Sequence, residues 1–140
     1  MTTNTAPWSQ LEAAAAAALS GAYAPYSKFR VGSAAQTSDG RLISGCNIEN
    51  AAYGVTLCAE CSMVGQLFAT GGGTLEYFLC FGQLAGGELE LITPCGRCRQ
   101  ILFEHRGANL QIKTARGIVG IEDLLPDAFG PQNLNVQGRQ

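Results

Sequence analysis

Two cysteine pairs constrain this chain more than any other feature of its sequence. The first, "CAEC", sets Ala59 and Glu60 between Cys58 and Cys61; the second, "PCGRC", carries Cys95 and Cys98. Thiols in such pairs are natural zinc ligands, because zinc takes sulfur tetrahedrally and has no redox chemistry of its own. A fold that uses both pairs must bring two distant segments to one point.

Two readings compete. In the first, all four thiols close around the ion and leave it inert; Cys61, three residues along a helix from Cys58, lies on the same face. In the second, Cys58, Cys95 and Cys98 hold the ion, the fourth position is left to water, and Glu60 carries protons. The stretch between Cys61 and Cys95 exceeds the roughly 15–20 residues usual in compact zinc ribbons. "VTLCAECSMVGQLFA" reads as the entry to a helix, not as the tight knuckle of a ribbon, and a closed site gives Glu60 nothing to do.

Size leaves a metal free to serve chemistry, since 140 residues can bury a core without disulfide staples. The chain reads as one domain over 1–140, with 1–8 and 132–140 as flexible tails. Nine basic residues against eleven acidic ones, with no basic run, argue against a nucleic-acid partner. No stretch approaches the roughly 20 apolar residues that span a bilayer. "LEAAAAAALSGAYA" lacks preceding positive charge and reads as an alanine-rich helix, not as the core of a signal peptide. Six cysteines without an export signal point to a reducing compartment, the cytoplasm.

Along the chain, Leu11 and Leu19 frame a first helix that ends near Gly21, ahead of Pro25. Extended runs on either side of "SDG" predict a β-hairpin from about Phe29 to Asn47. A second helix starts near Cys58 and breaks at "TGGG"; "TLEYFLCFG" reads as a buried strand. "PCGRCRQILFEH" predicts a third helix, with Pro94 ahead of its first turn and Gly107 after its last. "NLQIKT" and "GIVG" are short strands, and "IEDLLPDAFG" is a brief helix stopped by Pro126. The expected class is α/β, a three-layer α-β-α sandwich around one mixed sheet.

If Cys58 and Cys95 stand at the mouths of their helices, two helix N-termini face the metal and stabilise its thiolates. The order Cys-x-Glu, then P-C-x-x-C, resembles the signature of zinc deaminases, whose glutamate moves protons without binding metal. "APYSKFRVGSA", "GCNIENAAYG", "CAE", "PCGRCRQ" and "LLPDAFGP" occur in the order and spacing of the short cytidine deaminases, from about Ala24 to Pro131. The resemblance implies one Zn2+ per subunit and hydrolysis of cytidine and 2′-deoxycytidine to the uridine products and ammonia, a pyrimidine-salvage step. It also implies a homotetramer with active sites at subunit interfaces.

Carried onto this sequence, the resemblance gives Glu60 the catalytic role. Asn47 and Glu49, on one face of an extended segment, would bind the ribose hydroxyls, and Phe29 would line the base pocket. Ala59 supplies backbone groups near the reacting atoms. Tyr53 lies at a subunit boundary, and Phe129 would stack on the base held by a neighbouring subunit. One departure stands out: similar enzymes often carry arginine where this chain has Cys61. Three thiolates leave zinc one net negative charge, so the helix N-termini, Arg97 or Arg99 must compensate, and Cys61 becomes a protonated neighbour of the site. His105 reads as a surface or cap residue, and Cys46 and Cys80 as small buried hydrophobes.

Overall fold

Backbone contact, made possible by two glycines, fixes how the helices lie on the sheet. In a computed structural model describing residues 5–136, α1 (Trp8–Leu19) turns Leu11, Ala15 and Leu19 inward at a spacing of four, one stripe of a helix. β1 (Phe29–Thr37) and β2 (Leu42–Cys46) form the expected hairpin, paired from Gly32 with Cys46 to Gln36 with Leu42. A Cβ at Gly32 would stand 2.0 Å from the Ala15 carbonyl oxygen. A Cβ at Gly45 would stand 2.4 Å from the Ala59 carbonyl oxygen and 2.4 Å from the Met63 nitrogen, in the first turns of α2 (Ala59–Ala69). Only glycine lets α1 and α2 settle this close.

β3 (Leu75–Leu84) runs antiparallel to β1 along its length. Two strands share its other edge end to end: β4 (Glu90–Ile92), antiparallel, beside Cys80 to Gly82, and β5 (Arg106–Thr114), parallel, beside Leu75 to Phe78. β6 (Gly117–Val119) completes the order β2-β1-β3-β5-β6. α3 (Gly96–His105) links β4 to β5, and α4 (Ile121–Leu124) follows β6.

Alternation along the strands sorts the core into two layers. Ala34 and Leu79 face α1 and cluster with Leu11 and Ala15. Ala35, Phe78 and Cys80 face the other way, against Met63 and Leu67 of α2 and Leu102 and Phe103 of α3. The three-layer α/β sandwich around one mixed sheet is therefore present.

Some details differ from the sequence reading. β4 was not anticipated, because its three residues carry no pattern of their own and depend on β3. Gly107 lies inside β5, which begins at Arg106 directly after α3, so it does not act as the helix stop. Trp8, assigned to a flexible tail, opens α1 and sets its ring edge-on to Tyr77 at 5.5 Å. Residues 132–134 belong to a 3-10 turn, Pro131–Leu134; residues 1–4 and 137–140 of the two tails lie outside the described residues. Among the described residues, no helix is long and apolar enough to cross a membrane.

Candidate active site

Cys58 and Cys95 occupy matching positions, as the N-caps of α2 and α3, each with extended backbone (ψ 160° and 169°). The first turn of a helix leaves its N–H groups unpaired and carries positive partial charge, so both sulfurs sit where a thiolate is stabilised. Their Sγ atoms are 3.8 Å apart. Cys98, third residue of α3, joins them, and the three ligand atoms all lie within 4.8 Å of one another. Two sulfurs each about 2.3 Å from zinc at the tetrahedral angle stand about 3.8 Å apart, so the donor set fits that ion in both chemistry and spacing. Among the described residues this is the only group of three such side chains; Cys61 is not part of it.

The thiols differ in how readily they ionise. Burial pushes Cys58 up to about 11. Burial also raises Cys98, well above the ordinary thiol value, and the charge of Glu60 beside it adds to the effect. At Cys95, burial opposes ionisation, yet the main-chain N–H and thiol of Cys98 and the thiol of Cys58 face its sulfur and bring it below the ordinary value. Glu60, second residue of α2, is only 3% exposed; after burial, its charge is the next cause that raises the thiols of Cys98 and Cys80.

Main-chain carbonyls, not sulfurs, receive the arginines. Arg97 Nη1 donates to Thr56 O at 3.1 Å, tying α3 to the segment ahead of Cys58. Arg99 donates to Pro94 O at 2.8 Å and to Leu124 O at 2.9 Å, fixing the approach to Cys95. Ser62 Oγ donates to Cys46 O at 2.9 Å and accepts from Cys46 N at 3.0 Å, pinning α2 to the end of β2. These bonds hold the two ligand-bearing helix mouths in one place.

Most of the residues that the resemblance assigns to the substrate lie at the start of β1 or between β2 and α2. Asn47 is buried and straps β1: its Oδ1 accepts from Val31 N and its Nδ2 donates to Phe29 O, each at 2.9 Å. Glu49 is half-buried; its Oε1 accepts from Tyr26 N at 3.0 Å and Ser27 N at 3.1 Å, and these bonds, with the Ser27 hydroxyl foremost, lower its pKa. Tyr26, Ser27, Glu49, Tyr53 and Thr56 line a cavity of about 380 Å³. The Phe29 ring fills the space over Gly82, where a Cβ would come within 2.4 Å of it. Ala59 is buried at the start of α2. Tyr53, 76% exposed, stands edge-on to Tyr26, and Phe129 is 60% exposed, its carbonyl held by Gln100 Nε2 at 2.8 Å. A larger cavity of about 620 Å³ is lined in part by Lys28, Arg30 and Gln83; neither cavity is lined by any of the three thiols or by Glu60.

Sequence reasoning missed what two residues do. Cys80 reads from sequence as a core residue, which its burial supports, but its hydrogen bond to Ile92 O depends on the pairing of β3 with β4. Gly45 gives no signal at all until α2 is seen lying on it.

The zinc-binding region of cytidine and deoxycytidylate deaminases, as a family model, matches residues 8–114. A cytidine deaminase of Mycobacterium tuberculosis is 49% identical over 127 residues, covering 91% of this chain and 92% of that protein. One from Sporosarcina psychrophila is 36% identical, covering 85% and 88%. The crystal structure of cytidine deaminase from Mycobacterium leprae superposes with a TM-score of 0.81 at 50% identity, over 88% of this chain and all of that one.

Proposed function

We propose that this chain, which belongs to the family of zinc-binding cytidine and deoxycytidylate deaminases, hydrolyses cytidine and 2′-deoxycytidine to the uridine nucleosides and ammonia. The observation that carries the reading is the meeting of three thiols at two helix mouths beside a buried carboxylate that is not one of them. Cys58, Cys95 and Cys98 would hold the zinc, which when bound would supply the Lewis acidity that makes water a nucleophile at neutral pH. Glu60 accepts a proton from that water and delivers it to ring N3, which makes C4 more electrophilic. After the water oxygen bonds to C4, Glu60 takes the second proton from that oxygen and passes it to the exocyclic nitrogen, and the C4–N bond breaks to release ammonia and leave the C4 carbonyl. Its burial supports this role, since a desolvated carboxylate exchanges protons with the substrate and not with solvent.

Asn47 and Glu49 take the ribose hydroxyls. Asn47 keeps one amide hydrogen after serving Phe29, and Glu49 keeps Oε2, so each retains capacity for a sugar hydroxyl. Phe29 lines the base pocket. The exposed rings of Tyr53 and Phe129 fit a homotetramer in which Phe129 stacks on a base held by a neighbouring subunit; light scattering on the active species tests this, and a fully active monomer contradicts it. The six free cysteines fit a reducing cytoplasm.

The deciding experiment follows ultraviolet absorbance as cytidine is added to the protein and to its Glu60→Gln variant, with zinc measured in both. The parent turns over, and the variant retains zinc but loses at least about 10²-fold in kcat. Equal rates in the two proteins remove Glu60 from the chemistry.

A further inference from the structure

Between β2 and α2 the chain forms a lobe from which Tyr53 and Thr56, with Glu49 at its start, line the cavity of about 380 Å³. Its two ends meet: Ile48 and Leu57 exchange main-chain hydrogen bonds, each at 2.9 Å. Asn50 through Val55 are all exposed. The bonds that shape the lobe are its own. Asn50 N donates to Thr56 Oγ1 at 3.2 Å, Ala52 N to Asn50 Oδ1 at 2.9 Å, Val55 N to Ala52 O at 2.9 Å and Thr56 N to Tyr53 O at 3.1 Å. Among the described residues, a single hydrogen bond reaches positions 50–56 from outside the lobe, the one from Arg97 Nη1 to Thr56 O at 3.1 Å. Tyr53 adds one edge-on ring contact with Tyr26. Loops with little buried surface and few outside bonds open at low cost, so a lone tie governs where such a lobe sits.

We propose that Arg97 is a positioning residue for the substrate: its guanidinium latches the lobe to α3, so that Tyr53 and Thr56 close the cavity in which Glu49 receives the sugar. The latch rests on the reading of this cavity as the sugar site. Arg97 is the second residue of α3 and stands between Cys95 and Cys98, so the helix mouth that gathers the thiols also fixes where the latch begins. Among the described residues no carboxylate pairs with Arg97, and the bond to Thr56 O is its one hydrogen bond. A charged donor on a main-chain carbonyl shifts the ratio of closed to open lobe about tenfold at an exposed site. Opening the lobe lowers the fraction of molecules ready to bind, and apparent affinity falls by that fraction. Substrate that does bind still meets an unaltered Glu60, so the loss falls on KM more than on kcat.

The test compares the zinc-loaded parent with Arg97→Met and Arg97→Lys. Arg97→Met keeps an apolar stem and removes every donor; it raises KM for cytidine about three- to tenfold, the upper figure being the full worth of the bond, and changes kcat by less. Arg97→Lys keeps a donor and recovers most of the lost affinity. A change in kcat with KM held shows that Arg97 acts on the charge at the metal, and the latch falls; it falls equally if Arg97→Lys is no better than Arg97→Met. A second readout needs no turnover: amide hydrogen exchange in the peptide spanning 49–57 speeds up about tenfold in Arg97→Met, while peptides from α2 and α3 keep the parent rate. Parent-like exchange in the lobe overturns the latch, and so does faster exchange throughout α3, which marks general loosening. Light scattering gives both variants the mass of the parent; a lighter Arg97→Met assigns the change to a lost subunit contact and also overturns it. A parent that does not deaminate cytidine counts against the functional reading alone, while the exchange rates still decide whether Arg97 holds the lobe.

Discussion

A single methyl group added at Gly45 separates what this site needs from what the fold needs. The new Cβ would lie 2.3 Å from Ser62 Oγ and 2.4 Å from both Ala59 O and Met63 N, where ordinary contact begins at about 3.4 Å. Two of these three atoms are backbone of α2, so the helix must lift by about 1 Å, and Cys58 and Glu60 at its mouth move with it. Overpacking of this kind costs about 1–3 kcal/mol, which lowers the thermal midpoint by about 3–10 °C in a chain of 140 residues. A 1 Å misplacement of reacting groups costs about 10²-fold in rate. Gly32→Ala is the control: its Cβ would meet Ala15 O at 2.0 Å and Leu19 N at 2.7 Å, on the α1 face, away from the thiols. It loses stability to at least the same degree, yet kcat per folded, zinc-loaded molecule stays within about twofold. The assays are thermal unfolding and cytidine turnover normalised to bound zinc, both well below the midpoint of each variant. Parent-like turnover in Gly45→Ala, or an equal loss of kcat in Gly32→Ala, refutes the claim that the seat of α2 sets the position of Glu60.

Two further outcomes follow from the thiol cluster. Cys61→Ala retains one zinc per chain and at least partial turnover, as metal analysis and the absorbance assay will show, because Cys61 stands outside the group of three; loss of zinc would return the closed four-thiolate site. Zinc binding near pH 7 releases protons, since burial holds Cys58 and Cys98 as thiols in the metal-free protein. Affinity therefore tightens as pH rises toward 9, by at least about a hundredfold per unit for these two protons, and competition with a chelator across pH measures the slope. A flat profile contradicts it. In the metal-free chain the sign runs the other way. The folded protein holds the Cys58 proton above the ordinary thiol value of 9.0, so that contribution to stability is full below pH 9.0 and is lost as pH rises toward about 11.

Much of the site was legible because its signals are local. Each cysteine pair sits at a helix start, and the residues that mark the start, Pro94 ahead of Cys95 and the apolar run after Glu60, are adjacent in sequence. The hairpin announced itself through "SDG", with Gly40 at φ 90° in the left-handed region. What stayed hidden depends on register and close approach. β4 exists because β3 offers an edge, Cys80 donates to Ile92 O because β4 lies beside it, and Asn47 straps β1 through bonds to residues 16 and 18 positions away. Arg97 or Arg99 reads from sequence as one candidate for offsetting thiolate charge, beside the helix N-termini; their bonds to Thr56, Pro94 and Leu124 carbonyls, which leave that charge in place, also hold the two helix mouths together.

The divided edge of β3 makes metal capture a proofreading step. Side chains alternate across a sheet, so a one-residue slip of β3 against β1 would exchange Leu79 for Cys80 on the catalytic side and take Gly82 from under Phe29. β4 and the strand entry to α3 would follow, and Cys95 would no longer arrive opposite Cys58. A molecule with mispaired strands would lack the three-thiol site, so zinc bound tightly enough to survive a weak chelator is expected to track correctly paired sheets.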